Sequence, residues 1–190
     1  MRDVDLPFSQ ICWKNQILSP HLGGNRTISV DGTDYRCFEQ KDEPTSWWSF
    51  KFNGPAVCYE LGIGISTGNI VWTSGPYRAG RFPDLTIFCI SGLKEKLLAY
   101  GEVAVADKGY QGEPNCIDLP EHGSAIHQFM MKRTRSRHET CNKRLKQFGI
   151  LSQRFRNDIN LHRQVFHAVV VLTQMNIDNG NPLWDSNVVF

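Results

Sequence analysis

The six cysteines, at 12, 37, 58, 89, 116 and 141, include no Cys-x-x-Cys pair. That spacing argues against a zinc knuckle and indicates no disulfide framework, so the thiols are expected to be reduced and partly buried. No stretch approaches the roughly 18 uninterrupted apolar residues of a membrane span. The opening Met1-Arg-Asp-Val-Asp-Leu-Pro7 lacks the apolar core of a secretory signal. A soluble, intracellular protein is expected, in which the sequon Asn25-Arg-Thr27 carries no weight. There is no internal repeat and no low-complexity linker. With 190 residues and 41% hydrophobic content, the chain can bury one good core but scarcely two, and one domain is expected.

Acidic residues are scarce in one region. The net charge is only +2, yet between positions 132 and 156 nine cations, Lys132, Arg133, Arg135, Arg137, Lys143, Arg144, Lys146, Arg154 and Arg156, stand against the single acid Glu139. Such a block fits a phosphate-binding face; the commoner fate of a charge run is a solvated helix face. On a helix, Glu139 shares its side with Arg135, Asn142, Lys143 and Lys146, while Cys141, Leu145 and Phe148 form the opposite, core-facing stripe. Glu139 alone would be read as half of a surface pair with Lys143, four residues later, and Arg135 could equally serve only to neutralise it.

Strand and helix signals place two further acids. Residues 27–30 read as a short strand ending at Asp31, and 57–66 as a longer strand that turns at Thr67-Gly68-Asn69 into 70–73, a hairpin. Residues 75–83 break the sheet, and Pro83 opens a helix expected to run to about 100, with Gly101 as its stop. Residues 102–106 look like a central strand buried on both faces. Strand, helix and strand in this order predict a right-handed parallel βαβ unit, with ligands at the carboxyl ends of strands, where Asp107 stands. A loop from 109 to about 128 precedes the basic helix, and 159–178 reads as a core-covering helix closed at Asn179-Gly180.

Several motifs weaken on inspection. His138-Glu139 would begin a zinc-protease His-Glu-x-x-His, but position 142 is Asn. Gly62-Ile-Gly-Ile-Ser-Thr-Gly68 misses the dinucleotide fingerprint by one residue and lies within strands. Cys116, His122 and His127 match no standard metal spacing. Trp47, Trp48, Phe50 and Phe52 would suit stacking on bases, although aromatics at period two more often form a strand face packed on a core.

Seven segments together resemble a known family: Val30-Asp-Gly-Thr-Asp34, Lys51-Phe-Asn-Gly-Pro55, Tyr59-Glu-Leu-Gly62, Gly75-Pro-Tyr-Arg-Ala-Gly80, Asp84-Leu-Thr-Ile-Phe88, Ala106-Asp-Lys-Gly-Tyr110 and the run from Arg137 to Phe148. They look like the catalytic core of DDE transposases, of the PIF/Harbinger-like and insertion-sequence-like type. The resemblance runs from about residue 28 to 179 with its motifs in order. Thirty-one residues separate Asp107 from Glu139, similar to the family's spacing. It implies an α/β, RNase H-like fold with a mixed five-stranded sheet flanked by helices. It further implies Asp31, Asp107 and Glu139 as a triad that is both catalytic and metal-binding. Asp84 matches a further acidic position, with support of the helix N-terminus as its alternative role.

The chemistry implied is phosphodiester cleavage with two Mg²⁺ or Mn²⁺ ions about 3.5–4 Å apart, followed by attack of a freed 3′-hydroxyl on target DNA. Hard cations of this kind prefer carboxylate oxygen, consistent with three acids and no thiol. Arg135, Lys143 and Lys146 are the expected DNA-binding residues. The implied partner is DNA, with a separate DNA-binding protein supplying end recognition and a homodimer left open. The expected organisation is an arm at 1–26, the catalytic domain at 27–180 and a tail at 181–190. Only 30 residues precede Asp31 and no helix-turn-helix fits there. The alternative expectation is therefore a truncated or domesticated, non-catalytic DNA-binding or protein-interaction remnant. Location is expected to be the nucleus in a eukaryote and the cytoplasm otherwise, with Lys132-Arg-Thr-Arg-Ser-Arg137 as a conceivable address.

Overall fold

The computed structural model describes residues 25–38, 41, 43–119 and 124–184. The expected arm lies outside these residues up to position 24, as does the tail from 185 onward.

The spine of the sheet is β1 (Arg26–Arg36), flanked by β3 (Gly54–Gly64) on one side and β5 (Val103–Val105) on the other. β1 and β3 run antiparallel in register from Ile28↔Gly64 to Arg36↔Ala56. β3 turns into β4 (Ile70–Arg78), again antiparallel. β5 lies parallel to β1, and β6 (Ile117–Asp118) parallel to β5. The principal order is thus β4-β3-β1-β5-β6, the five strands expected. A two-residue β2 (Trp48–Ser49) pairs with the start of β3 and makes six.

Period-two alternation divides the core between the two faces of the sheet. Tyr35, Val57, Tyr59, Leu61 and Ile63 face a cluster built with α3 (Ala125–Leu145), α4 (Gly149–Ser152) and α5 (His162–Asp178). Phe166 of α5 stacks on Tyr59 with ring centroids 3.7 Å apart, and the Tyr59 hydroxyl meets His162 Nδ1 at 2.9 Å. On the other face Ile28, Val30 and Val71 pack with Phe88 of α1 (Asp84–Ile90) and with Leu93 and Leu97 of α2 (Leu93–Tyr100).

Several expectations need correcting. β1 does not stop at Asp31 but continues to Arg36, because β3 supplies antiparallel partners along its whole length. Asp31 and Gly32 therefore lie within the strand, paired with Leu61 and Glu60. β4 also runs on to Arg78 after a register shift, so residues 75–78 belong to the sheet. The long helix expected after Pro83 is two helices, broken where Gly92 adopts φ 91, a left-handed conformation open to glycine at little cost. β4 and β5 share one direction, but β3 and β1 lie between them, so they are not neighbours. The loop after Asp107 contains β6, and α3 starts at Ala125, before the basic run. Lys146 lies just past the end of α3.

Candidate functional site: carboxylates where the parallel pairing ends

The last parallel pair between β1 and β5 is Ser29↔Val105. Two residues beyond it on each chain segment stand Asp31 and Asp107. β1 there keeps its hydrogen bonds to β3 alone, which leaves its other edge open for side chains to converge. Asp107 opens a 3-10 turn (Lys108–Tyr110), its Oδ1 accepting from the Gly109 amide at 2.8 Å.

Asp84 arrives from a third element. Pro83 precedes α1 without a side-chain cap, and Asp84 occupies the first helical turn. Its carboxylate packs over Gly32 and against Gly109: a Cβ at Gly32 would collide with Asp84 Oδ1, and one at Gly109 would lie 2.8 Å from Asp84 Oδ2 and 3.0 Å from Asp107 Oδ1. Both glycines are needed for this close approach, a requirement of space and not of backbone conformation. Asp31, Asp84 and Asp107 line one pocket together with Asp34, Ser49, Phe50 and Lys51.

Glu139 is exposed on α3 and lines an adjoining pocket with Asp31, Lys132, Arg135, Ser136 and His138. Asp31 is thus common to both. Among the described residues, no three of His, Cys, Asp and Glu are gathered tightly enough to form a ready metal cluster. Repulsion links the acids of the first pocket. Burial pushes the Asp31 carboxyl up to about 7, with the charges of Asp107 and then Asp84 adding to it and Lys51 and Arg135 opposing. Asp84 is raised to about 6 by burial, then by Asp107 and Asp34. Carboxylates that repel one another across a partly desolvated pocket favour a bound cation, and their oxygens suit a hard divalent one.

The basic residues do not share one role. Arg135 pairs with Asp107 instead of Glu139, Nη2 to Oδ2 at 3.5 Å. Lys143 is exposed. Lys146 is half-buried, 5.3 Å from the Tyr35 ring and 5.7 Å from that of Phe52, and burial followed by Lys51 lowers its pKa. Arg137 is committed to the fold: it is buried, donates to the Ile65 carbonyl at 2.7 Å and lies over the Trp184 ring at 4.0 Å. A linear address through positions 132–137 would need that buried side chain. His138 is buried as well, and desolvation lowers its pKa to about 4, leaving a neutral ring beside Glu139.

Sequence reasoning missed Asp34, Lys51 and Phe50 as pocket residues. Asp34 lies three positions beyond Asp31 and accepts from Ser49 Oγ at 2.5 Å. Lys51 and Phe50 arrive through the β2–β3 turn, which Asn53-Gly54-Pro55 marks locally, although nothing in the linear chain says that this turn reaches the acids. The aromatic run divides: Trp47 is buried, Phe52 half-buried, and Trp48 and Phe50 exposed, so it is not a single strand face. Cys116 is buried in the core, whereas His122 and the side chain of His127 lie outside the described residues. The five described cysteines are all free.

A mixed sheet flanked by helices, with acids gathered where its parallel strands part, places the chain in the RNase H-like class. A family described as DDE superfamily endonuclease matches residues 30–174, well over half of the chain. The chain belongs to the DDE superfamily endonucleases, a nuclease family. Neither a curated protein nor a solved structure matches it. No described helix is long and apolar enough to cross a membrane.

Proposed function

We propose that the chain is the catalytic domain of a divalent-metal-dependent DNA endonuclease of the transposase type, with Asp31, Asp107 and Glu139 as its essential acids and Asp84 as a fourth carboxylate in the same pocket. The observation that carries this reading is the convergence of Asp31, Asp84 and Asp107, from three separate elements, on one pocket. Burial, then the charges of Asp107 and Asp84, raises the Asp31 carboxyl to about 7 against the opposing charges of Lys51 and Arg135, so a bound cation would compete with a proton there.

Mg²⁺ or Mn²⁺ held by these carboxylates would supply stabilisation of the charge that develops on the attacking and leaving oxygens of a phosphodiester. The chain's own residues do the rest. Asp107 is oriented by the Gly109 amide and by Arg135. Arg135, Lys143 and Lys146 supply positive charge beside the acids, where it attracts the DNA backbone and sets its register without reading sequence. The His138 ring, held neutral by burial, adds no charge of its own beside Glu139. Action on chromosomal DNA gives a eukaryotic host's nucleus as the site of function.

The test is nicking of supercoiled plasmid by the purified chain in Mg²⁺ and in Mn²⁺, beside Asp107→Asn and Glu139→Gln. Metal-dependent nicking that disappears in both variants supports the triad. Nicking that survives both removes it. A folded protein that nicks under no condition favours the non-catalytic remnant.

A further inference from the structure

The turn that joins β2 to β3 is held firmly on its inner side and presents one aromatic ring outward. Ser49 Oγ donates to Asp34 Oδ2 at 2.5 Å, and the Phe52 amide closes the turn on the Ser49 carbonyl at 3.3 Å. The Phe52 ring is covered by the Arg36 guanidinium at 4.9 Å and approached by Lys146. Asn53, at φ 48, reverses the chain into β3. Between these anchors Phe50 is 92% exposed, more than any other large hydrophobic residue among those described.

An isolated exposed aromatic needs no explanation, but Phe50 is not isolated from the chemistry. It lines the same pocket as Asp31, Asp84 and Asp107. Its neighbour Lys51 lines that pocket as well. One short turn therefore offers a cation and a flat apolar ring side by side at the rim of a carboxylate pocket. A nucleotide carries the matching pair, a phosphate and a base with an apolar face. In intact duplex that face is covered by its stacking neighbours; in a single-stranded, frayed or flipped-out nucleotide it is free.

We infer that Phe50 stacks on the base of an unpaired nucleotide whose phosphate lies between Lys51 and the Asp31, Asp84 and Asp107 carboxylates, so that the protein prefers DNA opened at or beside the scissile position. This rests on the reading of the pocket as a nuclease site. Phe50 is a positioning residue for the strand to be cut, and the rigidity of its turn keeps the cost of ordering the ring small.

The experiment measures binding of the full chain in Ca²⁺, by fluorescence anisotropy, to a forked oligonucleotide and to a blunt duplex of the same sequence. Wild type, Phe50→Ala and Phe50→Trp are compared, with circular dichroism as the check on folding. Loss of one base stack weakens fork binding by roughly 5- to 100-fold in Phe50→Ala, with a smaller loss on blunt duplex and recovery in Phe50→Trp. A 2-aminopurine at the first unpaired position is quenched by wild type and by Phe50→Trp, but not by Phe50→Ala. Fork binding by Phe50→Ala equal to wild type overturns the inference, as does an equal loss on fork and duplex. So does a dimer that becomes monomeric in Phe50→Ala with its DNA affinity intact, which would make the ring a protein contact. If wild type nicks plasmid through Asp107 while Phe50→Ala binds forks normally, the inference falls and the nuclease reading stands. Folded wild-type protein that binds neither DNA overturns both.

Discussion

Glu60 and Asp31 are two carboxylates whose pKa values are both pushed up to about 7, chiefly by burial, and they differ in what stands around them. Glu60 is fully buried in β3 on the α1 side of the sheet, and burial is the largest cause of its shift; the Trp72 indole N–H donates to its Oε2 at 3.0 Å. Asp31 is only partly buried, and like charges on Asp107 and Asp84 add to its desolvation. A proton suits the first group, whose Oε2 takes the Trp72 hydrogen bond and to which Asp84 adds one like charge as the smallest of its causes. Like charges brought together at the second make a place for a cation. On the proposed reading the same displacement marks a structural acid in one region and a functional one in the other, and the neighbours, not the value, are what distinguish them.

The largest effect that would sharpen this contrast is on chemistry. Asp31→Asn is expected to lower metal-dependent plasmid nicking by roughly hundredfold or more, while Glu60→Gln leaves it within the scatter of the assay; equal losses would erase the distinction. Thermal stability in the presence of metal comes next. Mg²⁺ or Mn²⁺ at a hundredfold excess over Kd should add about 2.7 kcal/mol to wild type and to Glu60→Gln, seen as a higher Tm. Asp31→Asn should lose that gain, and a gain that it retains would put the cation elsewhere.

Glu60→Leu removes the acceptor of the Trp72 hydrogen bond in a buried site and is expected to cost about 1–3 kcal/mol in urea unfolding, with no change in the metal-induced shift. The smallest effect is the pH dependence without metal. Both carboxyls bind their proton more tightly in the folded than in the unfolded chain, where their pKa values are near 3.8 and 4.5. The stability they contribute is full below about pH 4 and is lost as pH rises toward about 7. Tm should decline across that window by a few degrees, less steeply in Asp31→Asn and in Glu60→Gln. Divalent metal should reverse only the part that Asp31 contributes, and reversal of both parts would break the comparison.

Much of the fold was legible because its signals are local. Cys141 and Leu145 do turn inward from α3 while Glu139 stays exposed, as helical spacing requires, and Phe148, beyond the end of α3, packs half-buried against the same cluster. The turn at Thr67-Gly68-Asn69 does join two antiparallel strands. Errors arose where distant partners overrode local cues. Asp31-Gly32 has the composition of a turn, but β3 supplies a hydrogen-bonding neighbour that carries β1 through it. The apolar positions of 84–100 keep helical spacing, yet Gly92 separates two helices that pack on the sheet independently.

The site divides in the same way. The family could be named from the motifs and their order, and Asp31, Asp107 and Glu139 put forward as candidates from the same motifs, because motif and order are properties of the linear chain. Which groups stand together could not. Arg135 pairs with Asp107, 28 residues away, and not with Glu139 on its own helix. Asp84 enters the pocket only because Gly32 and Gly109, from two other elements, leave room for its carboxylate. Sequence by itself determined the residue types, their periodicity and hence the elements and the candidate acids. Tertiary structure alone decided their convergence, because the end of the β1–β5 pairing, the desolvation around Asp31 and the repulsion between acids from separate segments exist only once those segments are packed together.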